Sequence, residues 1–205
     1  MKTMLAIFAL LLTCSFAAEK SGWKKLNDLK KDWETTGNWS QDADGAFTLT
    51  PRPGEKGWER WSSYLWSKDN YQDFEADFDY KVQAKGNSGF YFHVGDKNDP
   101  VVKGIEVQIY DSYGKEDDKK LTDHDSGGII PGAPPTKNTS KPAGEWNHMN
   151  VVSKGRMVTV KLNGQVVNEL SLDSPKIKDR PPTGYIGFQD HGMPLSVRKV
   201  RIRTF

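Results

Sequence analysis

Phe74-Glu75-Ala76-Asp77-Phe78-Asp79-Tyr80-Lys81-Val82 alternates apolar and polar residues without an error. A two-residue period marks a strand with one buried and one wet face. Working outward, a Lys85-Gly86-Asn87 turn leads into a second strand, Ser88 to Val94, and a third runs from Ile105 to Tyr110. Val158 to Leu162 and Gln165 to Leu170 flank Asn163-Gly164, the strongest two-residue hairpin signal. Tyr185 to Gln189 and Val197 to Phe205 close the chain as strands. No long amphipathic helix interrupts them, and Asn27 to Asp32 is expected to form a single helical turn. Many short strands separated by turn residues predict an antiparallel all-β sandwich or barrel.

The first residues read as an export signal. Lys2 supplies the charge, Met4 to Thr13 is almost wholly apolar, and Ser15-Phe16-Ala17 places small residues at the cleavage positions. This predicts a signal peptide over 1–17 and one mature domain over 18–205, exported to the periplasm or the cell exterior. The apolar run is too short to span a bilayer, which needs about 20 residues. Lipid attachment at Cys14, with Leu11 three residues upstream, is the rival; Thr13 before the cysteine fits it poorly. Cys14 is the only cysteine, so the mature chain is expected to have no disulfide, thiol nucleophile or cysteine-bound zinc. Lys and Arg number 29 against 27 Asp and Glu, interleaved. That balance offers no basic patch and argues against nucleic acid as a partner. Seven Trp, seven Tyr and nine Phe suit a β-rich core, with rings to spare for stacking on sugars.

Ile105-Glu106-Val107-Gln108-Ile109-Tyr110-Asp111 carries the main functional signal. Its apolar residues share one face, and Glu106, Gln108 and Tyr110 share the other. Glu106 and Gln108 stand about 6.5 to 7 Å apart, and Asp111 joins them only if a bulge intervenes. Unpaired buried polar groups are costly, so this row is either a solvated face or the lining of a sugar groove. The spacing is similar to the Glu-x-Asp-x-x-Glu strand of laminarinase-type glucanases, whose two carboxylates act as nucleophile and acid/base. Gln108 and Asp111 depart from that pattern and disfavour direct glycoside hydrolysis.

A second polar cluster, Gln189-Asp190-His191-Gly192, follows the strand that begins at Tyr185. An imidazole beside a carboxylate is a general acid or base near neutral pH; the plainer reading is a hydrogen-bonded corner. His93 is expected to share a face with Tyr91 and could line the same groove, or else be an interior histidine. Trp61 and Trp66 are either core residues or a sugar platform. Asp123-His124-Asp125 crowds metal-ligand types together without diagnostic spacing, leaving a divalent ion open. The chain has no phosphate-binding glycine loop, dinucleotide fingerprint or Gly-x-Ser-x-Gly elbow, so no cofactor is expected. Gly114 to Glu145 is the longest irregular stretch, and its charged run at 115–120 reads as a solvated tip.

Taken in order, Gly22-Trp23, Ser63-Tyr64-Leu65-Trp66, Asn87-Ser88-Gly89, Gly104 to Asp111, Ser126-Gly127-Gly128-Ile129, Lys141 to Asn147, Leu162-Asn163-Gly164 and Gly187 to Gly192 resemble the bacterial 3-keto-disaccharide hydrolases. These are also described as 3-keto-glucoside 1,2-lyase/3-keto-2-hydroxy-glucal hydratase domains. The resemblance implies a concanavalin A-like jelly-roll sandwich and a small carbohydrate substrate, a 3-keto-glucoside oxidised beforehand by a separate dehydrogenase. A C3 ketone acidifies the C2 proton, so the glycosidic oxygen can leave by elimination and water can add afterwards. Such a site needs a base, an enolate donor and an acid. Glu106 or His191 could be the base, and Asp111 could assist protonation. Asp190 could orient His191, and Gln108, Gln189, His93, Tyr91 and Trp66 are candidate substrate contacts. A lectin-like binding module and an ordinary glucanase are the alternatives.

Overall fold

The computed structural model describes residues 22–205; the expected export segment at 1–17, with Cys14, lies outside the described residues. Within them the chain forms fourteen strands. They are β1 (Lys24–Lys25), β2 (Trp33–Glu34), β3 (Trp39–Gln41), β4 (Phe47–Leu49), β5 (Leu65–Tyr71), β6 (Phe74–Val82) and β7 (Asn87–Val94). The second half supplies β8 (Ile105–Tyr110), β9 (Ile129–Ile130), β10 (Asn147–Lys154), β11 (Met157–Leu162), β12 (Gln165–Ser171), β13 (Gly184–Phe188) and β14 (Leu195–Thr204). One sheet has the order β12-β11-β10-β6-β14-β4-β3, with β1 also paired to β14; the other runs β2-β5-β13-β7-β8-β9. The chain crosses between the sheets repeatedly, and the neighbouring strands are antiparallel. This is the expected all-β jelly-roll sandwich. The short helix α1 (Leu29–Asp32) starts at Asp28, whose side chain accepts from the Lys30 and Lys31 amides. No helix among the described residues is long and apolar enough to cross a membrane.

The core lies between the sheets. Phe78 of β6 meets Phe90 of β7 at 4.9 Å and Phe188 of β13 at 5.0 Å between ring centroids. Ile105, Val107 and Ile109 of β8 are sealed against the same cluster, each worth roughly 1.5–3 kcal/mol of burial. The hairpin between β11 and β12 turns through Asn163 and Gly164, at φ +50° and +83°, the mirror-image turn that matches strand twist.

The outer face of β6 is less wet than its alternation predicts. Glu75, Asp77 and Asp79 accept from Arg203, Arg201 and Arg198 of β14 at 2.7, 2.9 and 3.1 Å. His148 of β10 lies between Asp77 and Asp79, at 3.1 and 3.0 Å. A bulge in β14, with Lys199 at φ +54°, lets Arg198 and Arg201 both reach this face although two residues stand between them.

Candidate functional site

The second sheet presents its other face to the site. On β8 the residues between the core-facing isoleucines and valine are Glu106 and Gln108, both buried. Strand β7 pairs with β8 so that Tyr91 stands opposite Glu106 and Gly89 opposite Gln108. The Tyr91 hydroxyl donates to Glu106 Oε2 at 2.7 Å. A Cβ at position 89 would stand 2.7 Å from Glu106 Cδ, so the glycine makes room for the carboxyl to lie across β7. Gln108 Nε2 donates to Asn87 Oδ1 at 2.7 Å. After β13, the Gln189 amide N–H donates to the Gly89 carbonyl at 2.9 Å, and Ser88 Oγ donates to the Gln189 carbonyl at 2.8 Å. The two polar clusters of the sequence therefore meet.

They border one cavity of about 250 Å³. Its strand-borne lining is Asn87, Tyr91, Glu106, Gln108 and Ile130, joined by Trp58, Val101, His124, Gln189 and His191. Glu106 is the only carboxyl group lining it among the described residues. Burial raises the Glu106 pKa to about 7; the Tyr91 hydrogen bond opposes that rise and the Asp123 charge adds to it. Burial, followed by the charge of Glu106, pushes the Tyr91 phenol well above its ordinary value, so Tyr91 keeps its proton and donates. Two polar atoms at the cavity, Gln189 Oε1 and His191 Nδ1, are buried without a partner among the described residues. Atoms of this kind suit a ligand rich in hydroxyl groups.

Four expected site residues lie elsewhere or act differently. Asp111 follows the last residue of β8, and its carboxylate accepts from the Lys85 amide at 2.9 Å. It closes the turn between β6 and β7 and does not line the cavity. His93 does not share the Tyr91 face, because its φ of +51° breaks the strand alternation. Its ring packs edge-on against Phe92 and Phe74 and its Nε2 lies 2.7 Å from the Gln72 carbonyl. His93 is the interior histidine, and burial lowers its pKa. Asp190 does not hold His191; its carboxylate meets the Arg60 guanidinium at 3.1 Å and accepts from the Gly192 amide at 2.8 Å. Burial still lifts Asp190 above the ordinary aspartate value, against the pull of the Gly192 N–H and Arg60. Trp66 is buried beside Tyr64, at 5.3 Å between centroids, and donates to the Trp61 carbonyl, so it supports the site without lining this cavity.

The side chains of Asp123 and His124 meet, and that of Asp125 turns away from them. His124 borders the cavity, with its Nδ1 2.8 Å from Asp123 Oδ1. Asp125 turns inward to Ser112, Lys115 and the Thr122 amide. No group of three or more metal-ligand side chains gathers among the described residues. Sequence reasoning missed Trp58, Arg60, Val101 and Ile130. The signal for the first two is the density of Trp over 58–66, at 58, 61 and 66, around Arg60, a stretch with no periodicity to attract attention.

The fold and the site define a jelly-roll sandwich that carries a strand-built polar cavity on one outer face. Residues 21–203 match the model of the 3-keto-alpha-glucoside-1,2-lyase-like domain, and the chain belongs to that family. A curated 3-keto-disaccharide hydrolase of Bacteroides thetaiotaomicron is 26% identical, in a match that covers 65% of this chain. The chain spans 59% of that relative's length. A crystal structure from Parabacteroides distasonis, of a protein provisionally assigned as a glycosyl hydrolase, superposes with a TM-score of 0.76 at 25% identity; the match covers 89% of this chain and 99% of that one. A Bacillus licheniformis β-glucanase shares the fold at 13% identity and a TM-score of 0.50, over 93% and 95% of the two chains.

Proposed function

We propose that the protein cleaves 3-keto-glycosides by elimination across C1 and C2 followed by hydration. The observation that carries this reading is Glu106: a lone buried carboxyl with a pKa near 7, set among amides, a phenol and an imidazole. Retaining and inverting glycosidases need two carboxyl groups, about 5–5.5 Å or 6.5–9.5 Å apart, and a single lining carboxyl does not suit them. A base poised near the working pH does suit removal of a proton beside a ketone.

Glu106, ionised, takes the C2 proton, and the C–H electron pair moves onto the C3 oxygen as an enolate. Amide N–H groups of Gln108 and Gln189 are the donors available to that oxygen. The pair then returns to form C1=C2, the C1–O bond breaks, and the aglycone oxygen takes its electrons together with a proton from His191. Water adds its oxygen to C1, giving a proton back to His191, while Glu106, its proton exchanged with solvent in the meantime, protonates C2. The sum is glycoside plus water giving 3-keto-sugar plus alcohol. Asp111 has no part in it. The oxidation at C3 belongs to a separate dehydrogenase, so we assign this chain no redox cofactor, and we place the reaction outside the cytoplasm on the strength of the export segment.

The test is proton NMR in deuterated water, with a 3-keto-glucoside and its unoxidised parent. Cleavage of the keto substrate alone, with deuterium entering C2, is the expected result. Binding of plain sugars without turnover would make the domain a lectin, and cleavage of the parent sugar would make it a glucanase.

A further inference from the structure

We infer that Arg60 and Asp190 are positioning residues for His191, acting through an ion pair that ties the segment before β5 to the turn after β13. The inference rests on the reading of His191 as the acid for the leaving oxygen. Within the described residues His191 Nδ1 has no partner, so the ring takes its place from the backbone on either side. Residue 189 is pinned to β7 by the Gln189 N–H to Gly89 carbonyl bond and by Ser88 Oγ. Residue 192 is pinned by its own amide, which donates to Asp190 Oδ1 at 2.8 Å. Asp190, fully buried, is in turn held by Arg60: Nη1 donates to Oδ1 at 3.1 Å, and Nη2 lies 3.1 Å from Oδ2 as a charge contact without a hydrogen bond.

Arg60 is itself braced. Its Nη2 lies 2.9 Å from Glu55 Oε1 and 3.3 Å from Ser63 Oγ, and Glu55 accepts from the Arg52 amide at 2.7 Å. The two segments also interlock sterically. A Cβ at Gly192, where φ is +72°, would stand 2.9 Å from the Glu55 carbonyl oxygen. The same segment carries Trp58, whose carbonyl accepts from the Tyr64 hydroxyl at 2.7 Å. One buried carboxylate therefore sets two cavity side chains, His191 and Trp58, against the strand that bears Glu106. A planar guanidinium that donates one nitrogen to Asp190 Oδ1 and the other to Ser63 Oγ fixes direction as well as distance. Displacements near 1 Å are enough to cost catalysis about a hundredfold.

A merely structural ion pair would lower stability without caring which alcohol leaves. A pair that aims the acid matters most when the leaving oxygen is a poor one. The experiment compares kcat/KM for methyl and 4-nitrophenyl 3-keto-glucosides in the wild type, His191→Ala, Asp190→Asn, Arg60→Met and Arg60→Lys, with thermal unfolding of each. His191→Ala should lose about a hundredfold on the methyl substrate and under about tenfold on the nitrophenyl one. Folded Arg60→Met and Asp190→Asn should show the same asymmetry at about tenfold on the methyl substrate. Arg60→Lys, with a point charge in place of the planar guanidinium, should fall between Met and wild type. Asymmetry in His191→Ala together with equal or no losses in folded Arg60→Met would overturn the positioning role and leave the acid in place. Absence of asymmetry in His191→Ala would remove the acid, and the positioning role with it.

Discussion

A methyl group at position 89 would strike the carboxyl group on which the proposed chemistry depends. The Cβ of Gly89→Ala would stand 2.7 Å from Glu106 Cδ and 2.8 Å from Cγ, whereas carbon atoms settle at about 3.5–4.0 Å. The β7 backbone at 89 is extended, so alanine brings no strain of its own, and Glu106 must yield by about 1 Å. Its Oε2 is held by the Tyr91 hydroxyl at 2.7 Å; a shift of that size takes the pair beyond the roughly 3.0 Å range of O–H···O bonds. A buried donor left unpaired costs about 1–3 kcal/mol, offset by about 0.4–1 kcal/mol from replacing glycine in the unfolded chain. The expected result is a loss of about 1–2 kcal/mol in stability, a few degrees in Tm, with about a hundredfold fall in kcat/KM. Aglycone release from a 3-keto-glucoside and calorimetry measure the two. A Gly89→Ala variant with turnover within about twofold of wild type would mean that the Glu106 position does not govern the reaction.

Tyr91→Phe removes the hydrogen bond that holds the Glu106 pKa down, so the acid limb of the kcat/KM profile should move to higher pH; an unmoved or lowered midpoint would separate Tyr91 from the base. Folded Glu106 keeps its proton up to about pH 7, while an unfolded glutamate loses it near 4.5. The wild-type fold therefore forfeits up to about 3 kcal/mol as pH rises between those values. Glu106→Gln, which never ionises, should gain in Tm relative to wild type from pH 4 to pH 8, and a constant difference across that range would contradict the buried, raised carboxyl. Phe78→Ala should cost about 3–5 kcal/mol in urea unfolding, because its ring fills the space between Phe90 and Phe188; a cost under about 1 kcal/mol would place the core elsewhere.

Strands β6 and β8 were legible because one face is greasy along their whole length, and the Asn163-Gly164 turn because few residue pairs tolerate two positive φ values. Strands of two or three residues, such as β1, β2 and β9, are too short to display any period. The meeting of Glu106 and Gln108 with Gln189 and His191 followed from alternation plus one pairing, that of β7 between β8 and β13. What alternation could not show was its own interruption. His93 keeps its place in the count and loses its direction through one positive φ. Asp190 and His191 are adjacent in the chain, yet the aspartate found a stronger partner in Arg60, 130 residues away. The long irregular stretch was also more ordered than its composition suggests. Gly127 and Gly128 exchange backbone hydrogen bonds with Gln108, and Lys115, in the charged run that is exposed as expected, pairs with buried Asp125.

The division of β8 into Ile105, Val107 and Ile109 on one side and Glu106 and Gln108 on the other has a consequence for descent. Each site residue is flanked by two that hold the sandwich together, and none does both jobs. Substitutions at 106 or 108 can therefore change the chemistry of the cavity while the interior stays intact. A shift of pairing by a single residue would instead bury the carboxyl in the interior and expose the isoleucines. Lineages carrying this strand are free to explore new reactions by point substitution, but insertions or deletions within it are closed to them.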